Sequence, residues 1–546
     1  VCVHESRFSA MRISYQRYDR VKKVIVTIIL SLIFFSGICQ TMFTAFQSSQ
    51  RKADQAYSDK NYREAAVRYE TIFSKHPAEE VNLRIARSYY FMREYASAVT
   101  WYEKSISKYG ALQTTDQYYL AESYTSLGNY EQAVQQYNSI LARSSDDILI
   151  AKKIWRLKNI QYLYEDSLHY VVQEINVNTP ASEFVAAFTQ DQMIFLSNLE
   201  SIAMIENRDE STQTSFYQLY TAPFLKDTLG INTGRYGKTV LFQKDIGSKF
   251  NDGPVSFFNQ GKSMVYTRSA DEPGSNGRRT LQLHFAEWKD DTWTTKYSFP
   301  YNSPSHSITD PSISEDGKVL YFSSDMKGGQ GGKDLYRSQL VNGQWSKPEN
   351  LIDLNTLYDE VFPFLHQGKT VYFSSNGHAG MGGLDIFKSE ILGAGFNEVT
   401  NAGYPINTHH DDFSLMLDSL GAVGHFASNR NNRQDDIFRV DIDMQAYPLA
   451  IEGVIRYKEI GNSVAHVLGN ARLVLIDNVK GTPVYETFSD ASGNFVLHIP
   501  YFSQYKIKVI EANKNESIVS LEVPRHRKQE DKHDIVVVRD VFKTNP

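Results

Sequence analysis

The sequence predicts a multidomain α + β chain: an N-terminal stack of helical repeats, a five-bladed β-propeller (with six blades as the alternative), and a C-terminal seven-stranded β-sandwich. Three observations carry this. An aromatic–alanine pattern recurs at helical spacing between residues 46 and 167. A strand–turn–strand unit closing on Asp334, Asp385 and Asp436 steps by 51 and 51 residues. From residue 447 onward apolar residues alternate at period two between turn signals. A chain of 546 residues is also too long for one core.

Composition narrows the function classes. Hydrophobic content of 41% and charged content of 22% are ordinary for folded, soluble material. With 57 basic and 63 acidic residues the net charge is -6, which offers no concentrated basic face for nucleic acid. The 34 Tyr and 31 Phe favour aromatic-rich repeats over disorder.

Residues 1–39 read as a secretory signal. Arg12, Arg17, Arg20, Lys22 and Lys23 precede the apolar run Val24 to Ile38. As a helix that run spans about 22 Å, short of the ~30 Å hydrocarbon core. A basic stretch, a short apolar stretch and small residues at its end fit export. Met11 is a candidate initiator, which makes residues 1–10 an upstream extension. Three outcomes stay open: cleavage after Cys39 leaving Gln40 first, lipidation of Cys39, and an uncleaved anchor. Both cysteines, Cys2 and Cys39, lie in this leader, so cleavage after Cys39 leaves no thiol for disulfides, zinc or nucleophilic catalysis.

Residues 40–167 form the helical segment. "KNYREAAVRYETIFSKHP", "REYASAVTWYEKSISKYG" and "GNYEQAVQQYNSILARSS" share Tyr-x-x-Ala-x-x-x-Tyr. The sets are Tyr62, Ala65, Tyr69; Tyr95, Ala98, Tyr102; and Tyr130, Ala133, Tyr137. Twelve residues before each alanine stands another: Ala53, Ala86 and Ala121. Small residues let antiparallel helices approach, and aromatics three or four positions away fill the grooves. Residues Leu149 to Asp166 read as a capping helix with Ile150, Ile154 and Leu157 facing inward and Trp155 a further candidate for that face. The pattern closely resembles tetratricopeptide repeats, including "LGNY" at an inter-helix turn and Pro77 closing the first unit. The resemblance implies a concave groove for a peptide or partner domain.

Residues 168–446 change to strand periodicity. Units run from Asp310, Phe362 and Phe413, each with a turn, a strand ("VLYFSS", "TVYFSS", "GHFAS"), a polar loop and a last strand ("DLYRS", "DIFKS", "DIFRV"). Two looser units precede them. Repeats of this length built from short strands indicate propeller blades. The glycine clusters "GGQGG" and "GMGG" lack the Gly-Lys-Ser/Thr of a phosphate loop and lead into strands, so they punctuate turns through positive φ. The Asp after each loop reads as a structural acceptor of hydrogen bonds. These blades resemble TolB-type, WD40-like propeller repeats, a likeness specific for fold and weak for activity.

Residues 447–546 carry alternating strands around "TFSDASGNFVL", which resembles the carboxypeptidase regulatory-like sandwich, itself not an enzyme. No Gly-x-Ser-x-Gly elbow, His-Glu-x-x-His or dinucleotide fingerprint occurs, so neither catalytic residues nor a cofactor or nucleotide is expected. The densest ligand-like run is His409, His410, Asp411 and Asp412, and adjacent strand side chains diverge, so an inter-blade loop explains it better than a metal.

The order of helical repeats, propeller and sandwich resembles a family of Bacteroidota envelope proteins. Members usually add an OmpA-like peptidoglycan-binding domain, and one member is a periplasmic component of type IX secretion. The resemblance implies a non-enzymatic periplasmic scaffold, associated with the outer membrane, whose partners are outer-membrane and periplasmic proteins. The sequence ends at Pro546, where the OmpA-like domain is expected to begin, so contact with peptidoglycan is expected to be indirect or weak. The alternative is a propeller channel that takes a glycan, peptide or peptidoglycan fragment.

Overall fold

The computed structural model describes residues 49–144, 147–189, 191–200, 214–226, 232–242, 246–274, 277–431, 434–442, 449–460, 464–478, 480–499, 505–511, 515–521 and 535–539. The expected leader, with Cys2 and Cys39, lies outside them. Among the described residues are seven N-terminal helices followed by strands in seven sheets. The chain divides into two compact units, 1–111 and 112–546, a boundary that falls inside the helical segment.

The first unit holds α1 (Ser49–Ser58), α2 (Tyr62–Lys75), α3 (Glu79–Phe91) and α4 (Tyr95–Tyr109). Ala53, Ala65, Ala86 and Ala98 have no exposed surface, nor do Tyr69 and Tyr102. Alanine at those positions lets helices meet closely enough for a ring to fill the groove. Asn61 accepts the Glu64 N–H and gives its own amide to the Glu64 carboxylate, closing the start of α2 at both ends. Left-handed backbone reverses the chain at Lys60 and Arg93.

The second unit opens with α5 (Thr114–Ser126), α6 (Tyr130–Leu141) and α7 (Ile148–Lys158). Ala121, Ala133 and Tyr137 are buried like their counterparts, and Gly128 takes the left-handed turn position. Ile150, Ile154 and Leu157 face inward on α7. Trp155 does not: it is 52% exposed and stacks on Tyr162 instead.

Five sheets follow. The first is Glu183–Phe188, Gln192–Ser197, Gln218–Lys226 and Asn232–Tyr236; the second is Asp252–Phe258, Ser263–Ser269, Leu281–Lys289 and Thr292–Ser298. The third runs Ile308–Ile313, Val319–Ser324, Asp334–Val341 and Gln344–Trp345, with Glu349–Asn350 also on its third strand; the fourth runs Glu360–His366, Thr370–Ser375, Asp385–Leu392 and Gly395–Phe396, with Thr400–Asn401 likewise. The fifth takes Asp412–Leu417, Val423–Ser428 and Asp436–Ile442, and its outer strand is Tyr170–Glu174 from before the first sheet. That pairing, Tyr170 opposite Ile442 through Glu174 opposite Phe438, ties the two ends of the β region together. The first strand of each sheet lies beside the first strand of the next, and that of the fifth beside that of the first.

The last two sheets are Ala465–Val467, Leu449–Glu459, Asn494–Ile499 and Ile535–Arg539, and Pro483–Phe488, Arg472–Asp477, Tyr505–Ile510 and Glu516–Leu521. One core joins them through Ile451, Ile455, Leu473, Leu475, Leu497, Ile507 and Val509. The described residues thus carry eight strands where the sequence suggested seven. Ala465–Val467 is too short to show alternation, and Ile535–Arg539 pairs in parallel with residues far earlier in the chain.

Candidate functional site

Two features of the second unit are candidates for function: the face of α5–α7 and a cavity among the innermost strands. On the helical face, the Tyr118 ring stacks on Tyr358 with centroids 4.3 Å apart and planes 7° apart. Tyr130 donates its hydroxyl to the Met381 carbonyl at 3.1 Å, and Lys153 donates to the Asn376 carbonyl at 3.1 Å. Lys153 also pairs with Glu122 at 2.9 Å, both side chains buried, and Glu122 accepts the Tyr137 hydroxyl. Just beyond α7, the Tyr404 N–H donates to the Leu163 carbonyl at 2.7 Å and its ring stacks on Tyr164 at 4.6 Å. The α5–α7 surface is therefore already occupied, by loops of the third, fourth and fifth sheets of the same chain.

A repeated latch holds two of those loops and the segment that enters the first sheet. Asn178, Asn355 and Asn407 each exchange two hydrogen bonds with a strand backbone, at Ile437, Leu335 and Ile386 respectively. The next residue is threonine each time. Thr179, Thr356 and Thr408 cap the carboxylates of Glu183, Glu360 and Asp412 through their backbone N–H and hydroxyl. Burial pushes the Glu360 carboxyl up to about 7. Asp412 is buried against Arg430 at 2.6 Å, and burial raises its pKa despite that guanidinium.

Asp334, Asp385 and Asp436 each open the third strand of their sheet and are buried. Asp334 accepts the N–H groups of Gln330 and Gly331; Asp385 accepts those of Met381 and Gly382. Burial pushes the Asp385 carboxyl up to about 8. The glycine clusters serve a different need from the one the sequence suggested. Of the first cluster only Gly328 is left-handed, at φ +95. Gly331 and Gly382 instead sit where a side-chain carbon would strike the backbone of Tyr358 and of His410. Of the run at 409–412, the two imidazoles lie 4.1 Å apart, Asp411 accepts the Leu384 N–H and Asp412 meets Arg430. Among the described residues no group of three or more His, Cys, Asp or Glu is placed to hold a metal.

The cavity holds about 880 Å³ and is lined from all five sheets. The pairing slips by a bulge in the first strand of every sheet, and the residues just after it are Ala187, Val255, Ser312, Phe364 and Met416, all lining the cavity. Ser256 accepts the Ile313 N–H at 3.1 Å and Ser312 accepts the Leu365 N–H at 2.9 Å, so neighbouring inner strands are cross-linked beneath the opening. The rim carries Glu315, Asp316, Gln367 and Ser419, all exposed, with Asp418 half-buried.

A tetratricopeptide-repeat family model matches residues 117–146, which cover most of α5 and all of α6. Such repeats point to a protein–protein interaction module. No curated protein matches the chain. Solved structures with some likeness include a protein of unknown function from Dyadobacter fermentans, 11% identical over 46% of this chain and 73% of that one, TM-score 0.29. A family 117 glycoside hydrolase from Zobellia galactanivorans is 13% identical over 51% and 92%, TM-score 0.31. An exo-β-1,3-galactanase from Clostridium thermocellum is 11% identical over 64% and 83%, TM-score 0.30. These TM-scores are too low for the likenesses to carry an argument.

The latch and the buried Lys153–Glu122 pair escaped the sequence reading. A partial signal for the latch was present: Asn-Thr occurs at 178, 355 and 407, the last two 52 residues apart, close to the repeat step, although it also occurs at 232. Nothing in the sequence marks Lys153, since a lysine on a helix is usually solvated.

Proposed function

We propose that the protein is a non-enzymatic scaffold of the cell envelope, periplasmic and associated with the outer membrane, that joins partner proteins of a secretion or gliding assembly. In this reading the five sheets are blades of a TolB/WD40-like propeller closed by Tyr170–Glu174, and the last two form a carboxypeptidase regulatory-like sandwich. The observation that carries the reading is the docking of α5–α7 on the chain's own loops. It fixes a repeat module to a β platform, an arrangement suited to presenting surfaces rather than assembling reacting groups. The first unit supports the same reading, because Val67, Phe91 and Ile106 on α2–α4 remain exposed apolar positions. Partner capture is assigned to that unit; neither nucleic acid nor a nucleotide has a place in it.

The test is co-purification of the full chain from detergent-solubilised envelopes. Stable outer-membrane partners are expected, and Val67→Glu with Ile106→Glu should release them while the fold persists. A lone protein, or capture indifferent to those changes, contradicts the scaffold. The cavity supports a second reading, in which the platform also takes a glycan, peptide or peptidoglycan fragment.

A further inference from the structure

The cavity has a chemical character that defines what it would take. Its floor is mostly apolar: Ala187, Val255, Phe364 and Met416 come from four different sheets, with Phe188 and Phe257 beside them. Its rim is acidic. Glu315, Asp316 and Asp418 lie on the turns that follow the inner strands of the third and fifth sheets. Of the cationic or ring groups near them, Arg337 and His366 are engaged elsewhere, and Lys318 offsets only part of the negative charge. Arg337 is buried against Glu349 at 2.8 Å and also donates to the Ala394 carbonyl. Lys318 reaches Asp316 only at 3.5 Å, with both side chains more than half exposed, a pair of small worth in water. His366 gives its ring to the Asp418 carbonyl at 3.0 Å. Glu315 accepts the Gln260 N–H through one carboxylate oxygen, and Asp418 accepts the Ala422 N–H through one of its own.

We infer that this cavity is a binding site for a cationic peptide segment, with an apolar side chain on the floor and Lys or Arg heads at the carboxylate rim. This deepens the second reading above and rests on it. An apolar floor with a charged rim suits side chains that bury a hydrocarbon stem and keep a charged end at the edge. Low-dielectric walls strengthen the field of the three carboxylates at the mouth. A neutral glycan would leave that charge unused, and an acidic peptide would be repelled.

The experiment is fluorescence anisotropy of the full chain with a dye-labelled hexapeptide alternating lysine and leucine. A hexapeptide with glutamate in place of lysine and a neutral maltohexaose competitor serve as probes of the alternatives. Saturable binding of the lysine peptide is expected, weakened about tenfold or more by combining Glu315→Gln, Asp316→Asn and Asp418→Asn, and weakened by added salt. Ser419→Lys, at an exposed rim position, should weaken binding independently and keeps the test informative if the triple variant misfolds. Binding unchanged by the rim variants, equal binding of the glutamate peptide, displacement by maltohexaose, or no binding overturns the proposal. None of these outcomes alters partner co-purification, which reads the scaffold role separately.

Discussion

Helices α2 and α6 share one aromatic–alanine motif and end in different surroundings. Both carry Tyr-x-x-Ala-x-x-x-Tyr, both bury the alanine and the second tyrosine, and both give that tyrosine's hydroxyl to an acid fifteen residues earlier, Asp54 for Tyr69 and Glu122 for Tyr137. In the first unit the acid is exposed. In the second it is buried and compensated by Lys153, which also reaches Asn376. The repeat therefore sets how helices pack against each other. What covers the remaining face is decided by residues more than two hundred positions away.

The comparison breaks most readily at Lys153. Lys153→Ala leaves the Glu122 carboxylate buried without its cation and should cost ~3–5 kcal/mol of unfolding free energy. Arg84→Ala in the first unit removes a partly exposed pair with Glu80 and a cation–π contact with Tyr57, and should cost ~1–2 kcal/mol. Urea midpoints of the two variants measure the difference, and equal losses would contradict it. The next effect is pH-linked. Met381 donates its N–H to Asp385 and accepts the Tyr130 hydroxyl at its carbonyl, so the docked face and this carboxyl share a residue. Burial holds the Asp385 pKa at about 8, whereas an unfolded aspartate ionises near pH 4. Between those values the folded chain keeps a proton that the unfolded chain has lost. The stability from this group is full below about pH 4 and is lost as pH rises through about 8. Asp385→Asn should remove that slope, so wild-type and variant midpoints should converge or cross from pH 5 to pH 8; parallel profiles would refute it. The smallest effect compares hydroxyls. Tyr137→Phe should cost ~1–3 kcal/mol because Glu122 is buried, and Tyr69→Phe only ~0.5–1.5 kcal/mol because water replaces the lost partner of Asp54. A reversed order in thermal or urea unfolding would count against the distinction.

The helix-on-helix packing was legible because it is local. Ala53, Ala65, Ala86, Ala98, Ala121 and Ala133 are each forced small by a neighbour within the same hairpin or the next, and that leaves a periodic trace. Trp155 shows where such reasoning fails. Its spacing from Ile150, Ile154 and Leu157 allowed an inward ring, but the inward face was filled by those three, and Tyr162 offered a stacking partner outside. The glycines of the third and fourth sheets were legible as special and misread in kind. Positive φ is a property of one residue, whereas the close passage of Tyr358 or His410 backbone depends on a loop 25 or more residues away. A channel was expected from the resemblance, but its lining was not legible, because it draws on five strands spread over some 230 positions. The acidic rim is equally scattered, since Glu315 and Asp418 follow inner strands that the fourth sheet separates and meet only as lining of one cavity.

The self-docked helical face is tested most directly by a double-mutant cycle on Tyr118→Ala and Tyr358→Ala, read as urea unfolding free energies. Rings stacked at 4.3 Å should couple by about 1 kcal/mol, so the double variant should lose measurably less than the two single losses added together. Strict additivity would mean that α5 does not rest on the loop carrying Tyr358.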